Sequence, residues 1–290
     1  MESRQPSQFP PGMPLEKALS RAMERISASG VQYPDGWFDR LVRKYSRTGI
    51  AYPFALIMAG TPRLAGHFAY ARALQQEGLF LDYGCGCGDS VRALIRAGVS
   101  RDRIRAYDPD PSVVGLGFDL YRDRAETCGL FTVSRQFPFR TREFGCVFST
   151  LVLPCLGDDR EFWEYLGNAR AALRPGGIFF GTTMGHYLPV ESRHPQSRLE
   201  RVMTAARFAE CLAQAGFTRV EIVGEPVVRT FPASLVRAGA AVPVVRNALR
   251  QVFARFPGIN NCNLFVIHFC AVKEAAPEDA GSWSGITGQP

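Results

Sequence analysis

The sequence predicts an α/β protein built on a doubly wound, seven-stranded, mostly parallel sheet, with N-terminal helices and a helical insertion that together form a cap. Three observations lead there. Short apolar runs alternate with segments of helical period from about residue 78 to 273. The first run, Leu79-Phe80-Leu81-Asp82-Tyr83, passes directly into Gly84-Cys85-Gly86-Cys87-Gly88. The fourth, Cys146–Leu153, is nearly all apolar, as a parallel strand covered on both faces must be.

Taken in order, residues 1–13 carry three prolines and little to bury, and they read as disordered; the tail 274–290 has the same character. Residues 14–77 form an N-terminal helical segment. Leu15, Ala18, Leu19, Ala22, Met23 and Ile26 fall at helical spacing, predicting a helix over 15–28 ended by Gly30. Helices are also expected at 35–47 and 62–77. After the first strand comes a helix with Val91, Leu94 and Ile95 inward and Gly98 at its end. Strand Ile104–Tyr107, helix Ser112–Asp123 and strand Phe131–Ser134 follow. Asp158 and Glu161 form a capping box for a helix burying Phe162, Leu166, Ala169 and Leu173. Arg174-Pro175-Gly176-Gly177 turns into strand Ile178–Thr183. A helix at about 201–215, stopped by Gly216, and strands Val220–Val223 and Leu264–Val272 complete a domain over 78–273 with an insertion at 226–263.

Composition narrows the function classes. At 46% hydrophobic and 21% charged, the chain is a globular one. No apolar run approaches the about 20 residues that span a bilayer, and the first residues carry no secretory h-region. Cys85 and Cys87 sit in the glycine loop, and Cys146, Cys155 and Cys270 in apolar runs, so the cysteines read as buried free thiols of a cytoplasmic protein. No Cys or His spacing suits zinc, and no metal is expected. The net charge of +7, from 34 Lys+Arg against 27 Asp+Glu, is spread as arginine along the chain. That is the pattern of a solvated surface, and it disfavours nucleic acid as a partner.

The glycine loop carries the chemistry. Ligands of doubly wound sheets bind beyond the carboxyl ends of the strands. A dinucleotide fingerprint would place glycine at position 89, where this chain has Asp89. Asp82, two residues before the first glycine, would repel a pyrophosphate and attract an ammonium group. S-adenosylmethionine has an α-amino group and no phosphate, so it fits this loop better than NAD. A side chain at Gly86 would occupy space that a ligand's close approach requires. Asp108 ends the second strand, where a carboxylate accepts both ribose hydroxyls; taken alone, Asp108-Pro109-Asp110-Pro111 reads equally as a turn and helix cap.

LDYGCGCG, AYDPDPSVV, FPF-x4-F-x-CVFSTLVL and LRPGGIFFGTT, over about residues 78–225, resemble the successive motifs of class I, Rossmann-like S-adenosylmethionine-dependent methyltransferases of the small-molecule group. The resemblance implies that Gly84, Cys85 and Gly86 line the methionine moiety, with Asp82 near its amino group. It implies Asp108 on the ribose, Pro109 beside the adenine, and Thr150 and Leu151 near the methionine part. S-adenosylhomocysteine would be the product. Two positions depart from the pattern: Thr132-Val133-Ser134-Arg135-Gln136 lacks the aspartate that often binds the adenine amino group, with Ser134 or Gln136 as substitutes, and Phe144-Gly145-Cys146-Val147 replaces Phe-Asp-x-Val.

For the acceptor side, His186-Tyr187 follows the fifth strand on the ligand-binding edge and is the candidate pair for acceptor contact or general base. His67 and His268 read as structural. Leu153-Pro154-Cys155 stands where Asn-Pro-Pro-Tyr enzymes carry their signature, which disfavours base- and amide-nitrogen methylation. In the insertion, Val245, Leu249, Val252 and Phe256 oppose Arg246, Arg250 and Arg255, a basic amphipathic helix that packs on the core, touches membranes or partners, or helps to cap the site. The expected activity is methyl transfer to oxygen or carbon of a small molecule. The alternatives are an RNA or cap-like nucleotide methyltransferase, and a protein of this fold that binds the cofactor without methylating, for example a cyclase.

Overall fold

The computed structural model describes residues 13–50, 53–61, 63–139, 142–188, 202–226, 231–255 and 264–274. The termini expected to be disordered therefore lie outside the described residues, Met13 and Glu274 apart. Seven strands form one sheet in the order β3-β2-β1-β4-β5-β7-β6. The chain divides into two compact units, residues 1–70 with 79–138, and 71–78 with 139–290.

In the first unit, α1 (Leu15–Ser27), α2 (Trp37–Thr48) and α3 (Pro53–Met58) precede β1 (Leu79–Tyr83), α5 (Asp89–Arg96), β2 (Ile104–Asp108), α6 (Pro111–Tyr121), α7 (Arg124–Thr127) and β3 (Phe131–Val133); α4 (Tyr70–Leu74) spans the boundary. The three strands pair in parallel, β1 with β2 and β2 with β3. Helix α1 buries Ala18, Leu19, Ala22, Met23 and Ile26, the face its periodicity predicts. They pack in one cluster with Leu41 and Tyr45 of α2, Leu56 of α3 and Val113, Leu116 and Leu120 of α6. Each large aliphatic side chain so buried contributes about 1.5–3 kcal/mol, so these helices are part of the unit's core. Helix α6 begins on Pro111, with the Asp110 carboxylate accepting from the Ser112 N–H at 2.7 Å, and is apolar almost all round because it is buried.

The helix expected over 62–77 is reduced to the five residues of α4. Upstream of it the backbone closes three-residue turns, His67 N to Leu64 O and Tyr70 N to His67 O. The His67 ring takes the Ala69 N–H on Nδ1, competing with helical pairing. Helix α3 has only six residues, too few to show a period.

The second unit contains β4 (Phe144–Thr150), α8 (Asp159–Ala172), β5 (Leu173–His186), α9 (Ala205–Gln214), β6 (Thr218–Pro226), α10 (Phe231–Ala240), α11 (Pro243–Arg255) and β7 (Leu264–Val272). Strands β4 and β5 are parallel, and β7 runs antiparallel between β5 and β6. Asp158 caps α8 through the Glu161 N–H, as the sequence predicts, while the Glu161 carboxylate reaches back to the Gly157 N–H. Leu173 belongs to β5 rather than α8, and the Arg174–Gly177 turn is drawn into that strand by pairing with Lys273. Phe179 packs on Phe217 and Phe269, and Phe269 on Phe208, which fixes α9 over the sheet.

Strand β4 stops at Thr150, because Leu151 turns left-handed at φ 58°. Leu153–Cys155 then forms a 3-10 turn, and Cys155, expected to be buried, is exposed; so is Cys128. The other thiols described, Cys85, Cys87, Cys146, Cys211 and Cys270, are buried and form no disulfide with one another.

Helix α6 approaches the glycine loop at Gly117, where an added Cβ would strike the Cys87 carbonyl. Gly117→Ala should therefore destabilise the protein by about 1–3 kcal/mol through overpacking, measured by urea unfolding. Unchanged stability would show that the loop gives way freely.

Candidate active site

The site in the first unit is assembled from three backbone segments. Where β1 ends, the N–H groups of Gly84 and Cys85 both donate to the Tyr107 carbonyl of β2, at 2.8 and 3.0 Å, which folds the loop back over the sheet. Gly84, Gly86 and Gly88 all have positive φ. A Cβ on Gly86 would meet Ala55 and Val113 only at 3.7 and 3.8 Å, ordinary contact, so the constraint there is its φ of +53°, which excludes a β-branched residue, rather than crowding by protein atoms.

Asp108 secures the loop. One carboxylate oxygen accepts from the Gly86 N–H at 2.9 Å and the other from the Asp110 N–H at 2.9 Å. The turn reading of this residue is thus realised, and it coexists with a role toward ligand, since each oxygen retains a further lone pair. Burial pushes its pKa up to about 6, against the pull of those two N–H groups. Pro109 beside it is exposed.

Asp82 lies beneath the loop, 2% exposed, and its Oδ2 has no hydrogen-bond partner. Burial raises its pKa well above the usual carboxylate range, and the Asp108 and Asp89 carboxylates raise it further. An orphaned buried carboxylate is destabilising by itself and accepts a cation readily. Asp89, the residue that argued against a dinucleotide fingerprint, opens α5 and takes hydrogen bonds from the Gly60 N–H and the Tyr121 hydroxyl, both at 2.5 Å. Those bonds tie the residues after α3 to the loop.

Arg92 is the residue that pattern reading missed. It sits among the inward positions of α5, only 4% exposed. Its guanidinium forks onto the Asp123 carboxylate with two bonds of 2.7 Å and donates to the Cys87 and Gly88 carbonyls at 2.6 and 3.1 Å. It also lies 4.0 Å over the Tyr121 ring. The loop's carbonyls are thereby turned down toward Arg92. An arginine in an Arg-rich chain gave no signal of this; only its position beside Val91 and Leu94 could have.

Ser134, beyond β3, uses its backbone carbonyl to accept from the Tyr107 hydroxyl and its side-chain oxygen to accept from the Gln136 N–H. Tyr107, Tyr83 and Phe137 form an aromatic cluster at the carboxyl ends of β1 and β2, with ring centroids 4.6–5.6 Å apart. The structure therefore brings Asp82, Gly84, Cys85, Gly86 and Asp108 together around one loop, with Ser134 joined through Tyr107.

The remaining candidates belong to the second unit. Thr150 is half-buried at the end of β4, and Leu151, 9% exposed, is held in its left-handed conformation by donating its N–H to the Thr182 carbonyl at 2.8 Å. Such strain in a bulky residue marks functional turns. Tyr187, just past β5, stacks on Phe265, the register partner of Gly185, and packs beside Leu188 and Val236. His186 is the last residue of β5. Its ring bonds to the Val202 backbone, Nδ1 is buried without a partner, and burial lowers its pKa. His268 stands on β7 with Nε2 3.5 Å from the Glu225 carboxylate, and His67 is buried. His194 lies outside the described residues.

A seven-stranded sheet of this order, with β7 alone antiparallel, is the arrangement of the class I, Rossmann-like methyltransferase fold. The comparisons agree: residues 81–181 match the family model described as a methyltransferase domain. Among solved structures, the chain is similar to phosphoethanolamine N-methyltransferase 2 of Haemonchus contortus in complex with S-adenosyl-L-methionine, at 19% identity and TM-score 0.56, covering 84% of this chain and 62% of that one. A second structure of that enzyme, with phosphomonomethylethanolamine and S-adenosylhomocysteine, gives 18% identity, TM-score 0.55 and coverage of 85% and 61%. The chain thus spans about three-fifths of the Haemonchus protein. A Galdieria sulphuraria protein assigned as a sarcosine dimethylglycine methyltransferase matches at 18% identity and TM-score 0.51, over 73% of this chain and 83% of its own. No curated protein matches the chain. The matched segment, residues 81–181, is similar to a methyltransferase domain, and S-adenosylmethionine is the cofactor whose chemistry the site fits.

The orphaned Asp82 tests the fit of that cofactor, whose ammonium group supplies the missing charge. In the ligand-free fold the raised pKa values of Asp82 and Asp108 mean that folding takes up protons, so stability should fall as pH rises from the unfolded carboxylate value of 3.8 through about 6. Asp82→Asn should flatten that decline and raise the melting temperature of the ligand-free protein. It should also weaken S-adenosylhomocysteine binding by roughly 1.5–3 kcal/mol, the range for a bond to a charged group. Calorimetry and thermal melts between pH 4 and 8 measure both effects; a variant that binds as tightly as the parent would remove Asp82 from the site.

Proposed function

We propose that this enzyme transfers a methyl group to an oxygen or carbon atom of a small-molecule acceptor, releasing S-adenosylhomocysteine. The observation that carries this reading is His186, a half-buried imidazole at the end of β5 whose pKa burial lowers, so that it is neutral at pH 7. A hydroxyl or carbon acid is a poor nucleophile until a proton is removed, and a neutral histidine is the side chain that removes it near neutrality.

The cofactor supplies an electrophilic methyl group on a sulfonium. Asp82 would take its ammonium group, the backbone of Gly84, Cys85 and Gly86 its methionine part, and Asp108 the ribose hydroxyls. Pro109 and Ser134 would lie toward the adenine, Thr150 and Leu151 toward the methionine part. Arg92 holds the loop in shape without touching ligand. His186 would then accept the acceptor's proton, its ring held by the Val202 backbone. Tyr187, packed under α10 and α11, would serve the acceptor side by positioning the segment after His186.

The test is methyl transfer from labelled cofactor to a cell extract separated into RNA and small-molecule fractions. Label should enter the small-molecule fraction; label confined to RNA would overturn the reading. With the acceptor in hand, His186→Ala should lower kcat by about 10²–10⁴-fold while cofactor affinity is retained. Because the histidine pKa lies below its ordinary 6.5, the parent's rate should be flat through neutrality and fall only at more acidic pH, and the variant should lose that acid limb. A variant with the parent's rate and pH profile would exclude His186 as the base.

A further inference from the structure

The α10–α11 hairpin has a composition that methyl transfer does not explain. From Pro226 to Lys273 the chain contains five arginines and one lysine and not one aspartate or glutamate. Elsewhere the two signs are mixed. The hairpin joins β6 to β7, and β7 is antiparallel to β5, so the hairpin leaves and re-enters the sheet at the end where β5 finishes in His186.

Helix α11 is also unusual in its packing. Of its described side chains, Leu249 alone is half-buried, beside the Leu188–Val236 cluster; Val245, Arg246, Asn247, Ala248 and Gln251 are exposed. The tip between the helices carries Val242, 48% exposed, and the first turn of α11 carries Val245, 42% exposed. Two of the six large apolar side chains exposed among the described residues are therefore neighbours at this tip. Arg237 of α10 and Arg246 of α11 are exposed with them. Val245 reaches α10 only at Gly239, beside Leu249, and the rest of its side chain is open to solvent.

We propose that the α10–α11 hairpin docks the enzyme on an anionic lipid surface, with Val242 and Val245 entering the headgroup layer and the arginines meeting lipid phosphates. The charge complementarity is one-sided: a stretch of chain that carries arginines and no carboxylate suits a uniformly negative plane. Exposed valines between arginines are the composition of helices that lie in a membrane interface. The hairpin helices are too short to cross a bilayer, and no described helix is long and apolar enough to do so. Docking at this end of β5 brings His186's end of the sheet toward the lipid, which suits an acceptor delivered from the membrane surface.

The experiment is sedimentation of the full chain with phosphatidylcholine vesicles, with and without phosphatidylglycerol, at low and high salt. Binding should require phosphatidylglycerol and weaken as salt rises. Since one cation near an anionic surface is worth about 1 kcal/mol, or about fivefold, Arg237→Glu with Arg246→Glu should weaken binding by at least about tenfold. The control is Arg43→Glu with Arg47→Glu, the same charge change on exposed positions of α2. It should retain binding, and all variants should keep their melting temperature and S-adenosylhomocysteine affinity. Val242→Asp should also detach the protein. Equal loss in the control pair would mean that net charge alone attracts the vesicles and would overturn the hairpin's role. So would failure to bind phosphatidylglycerol vesicles, or self-association through the hairpin detected without lipid by light scattering. None of these readouts depends on methyl transfer, so this proposal and the one above fail separately.

Discussion

A carboxylate buried beneath a glycine loop, with no partner of its own, is the feature on which the first unit's architecture turns. Burying Asp82 as a carboxylate costs free energy that a proton or a cation recovers, and among the described residues no hydrogen bond or ion pair reaches its Oδ2. Asp108 and Asp89 add to the negative potential at the same point, while Arg92, the buried cation nearby, is spent on Asp123 and on loop carbonyls. The unit keeps this arrangement because it is folded around the loop from every side. The Tyr107 carbonyl ties it to β2, the Asp108 carboxylate grips its middle, and α6 presses on it at Gly117. The loop is therefore preorganised, and ligand binding need not pay to order it.

The N-terminal helices are packed into the same unit. Helix α1 shares a core cluster with α6, and the Gly60 N–H after α3 ends on the Asp89 carboxylate at the head of α5. Ala55 stands within van der Waals reach of a side chain at Gly86. The segment is a structural wall of the cofactor loop as much as a cover, so removing it would disturb cofactor binding and not the acceptor alone.

In the second unit the decisive feature is where two strands end. Strand β5 stops at His186, whose ring bonds to the Val202 backbone, and Tyr187 beyond it is bound into the α10–α11 packing. Leu151, held left-handed after β4 by the Thr182 carbonyl, ends that strand three residues before its apolar run ends and exposes Cys155.

The sequence by itself determined the sheet, the order of its strands and helices and the residues of the glycine loop, because alternating apolar runs, Gly-rich turns and a carboxylate at each of two strand ends are local signals. It determined the buried face of α1 and the cap of α8 for the same reason. What only the tertiary structure decided were the partnerships. Asp82 is singled out because nothing reaches its Oδ2, and Arg92 because it pairs with Asp123, 31 positions away, while donating to the loop carbonyls. The helix expected over 62–77 dissolved into turns because a histidine ring took a backbone N–H, and β4 stopped early because Leu151 met a carbonyl on the neighbouring strand. Period and composition report which face of a segment is apolar. Which polar atom finds a partner is settled only when distant segments pack, since desolvation and hydrogen bonding act through space and not along the chain.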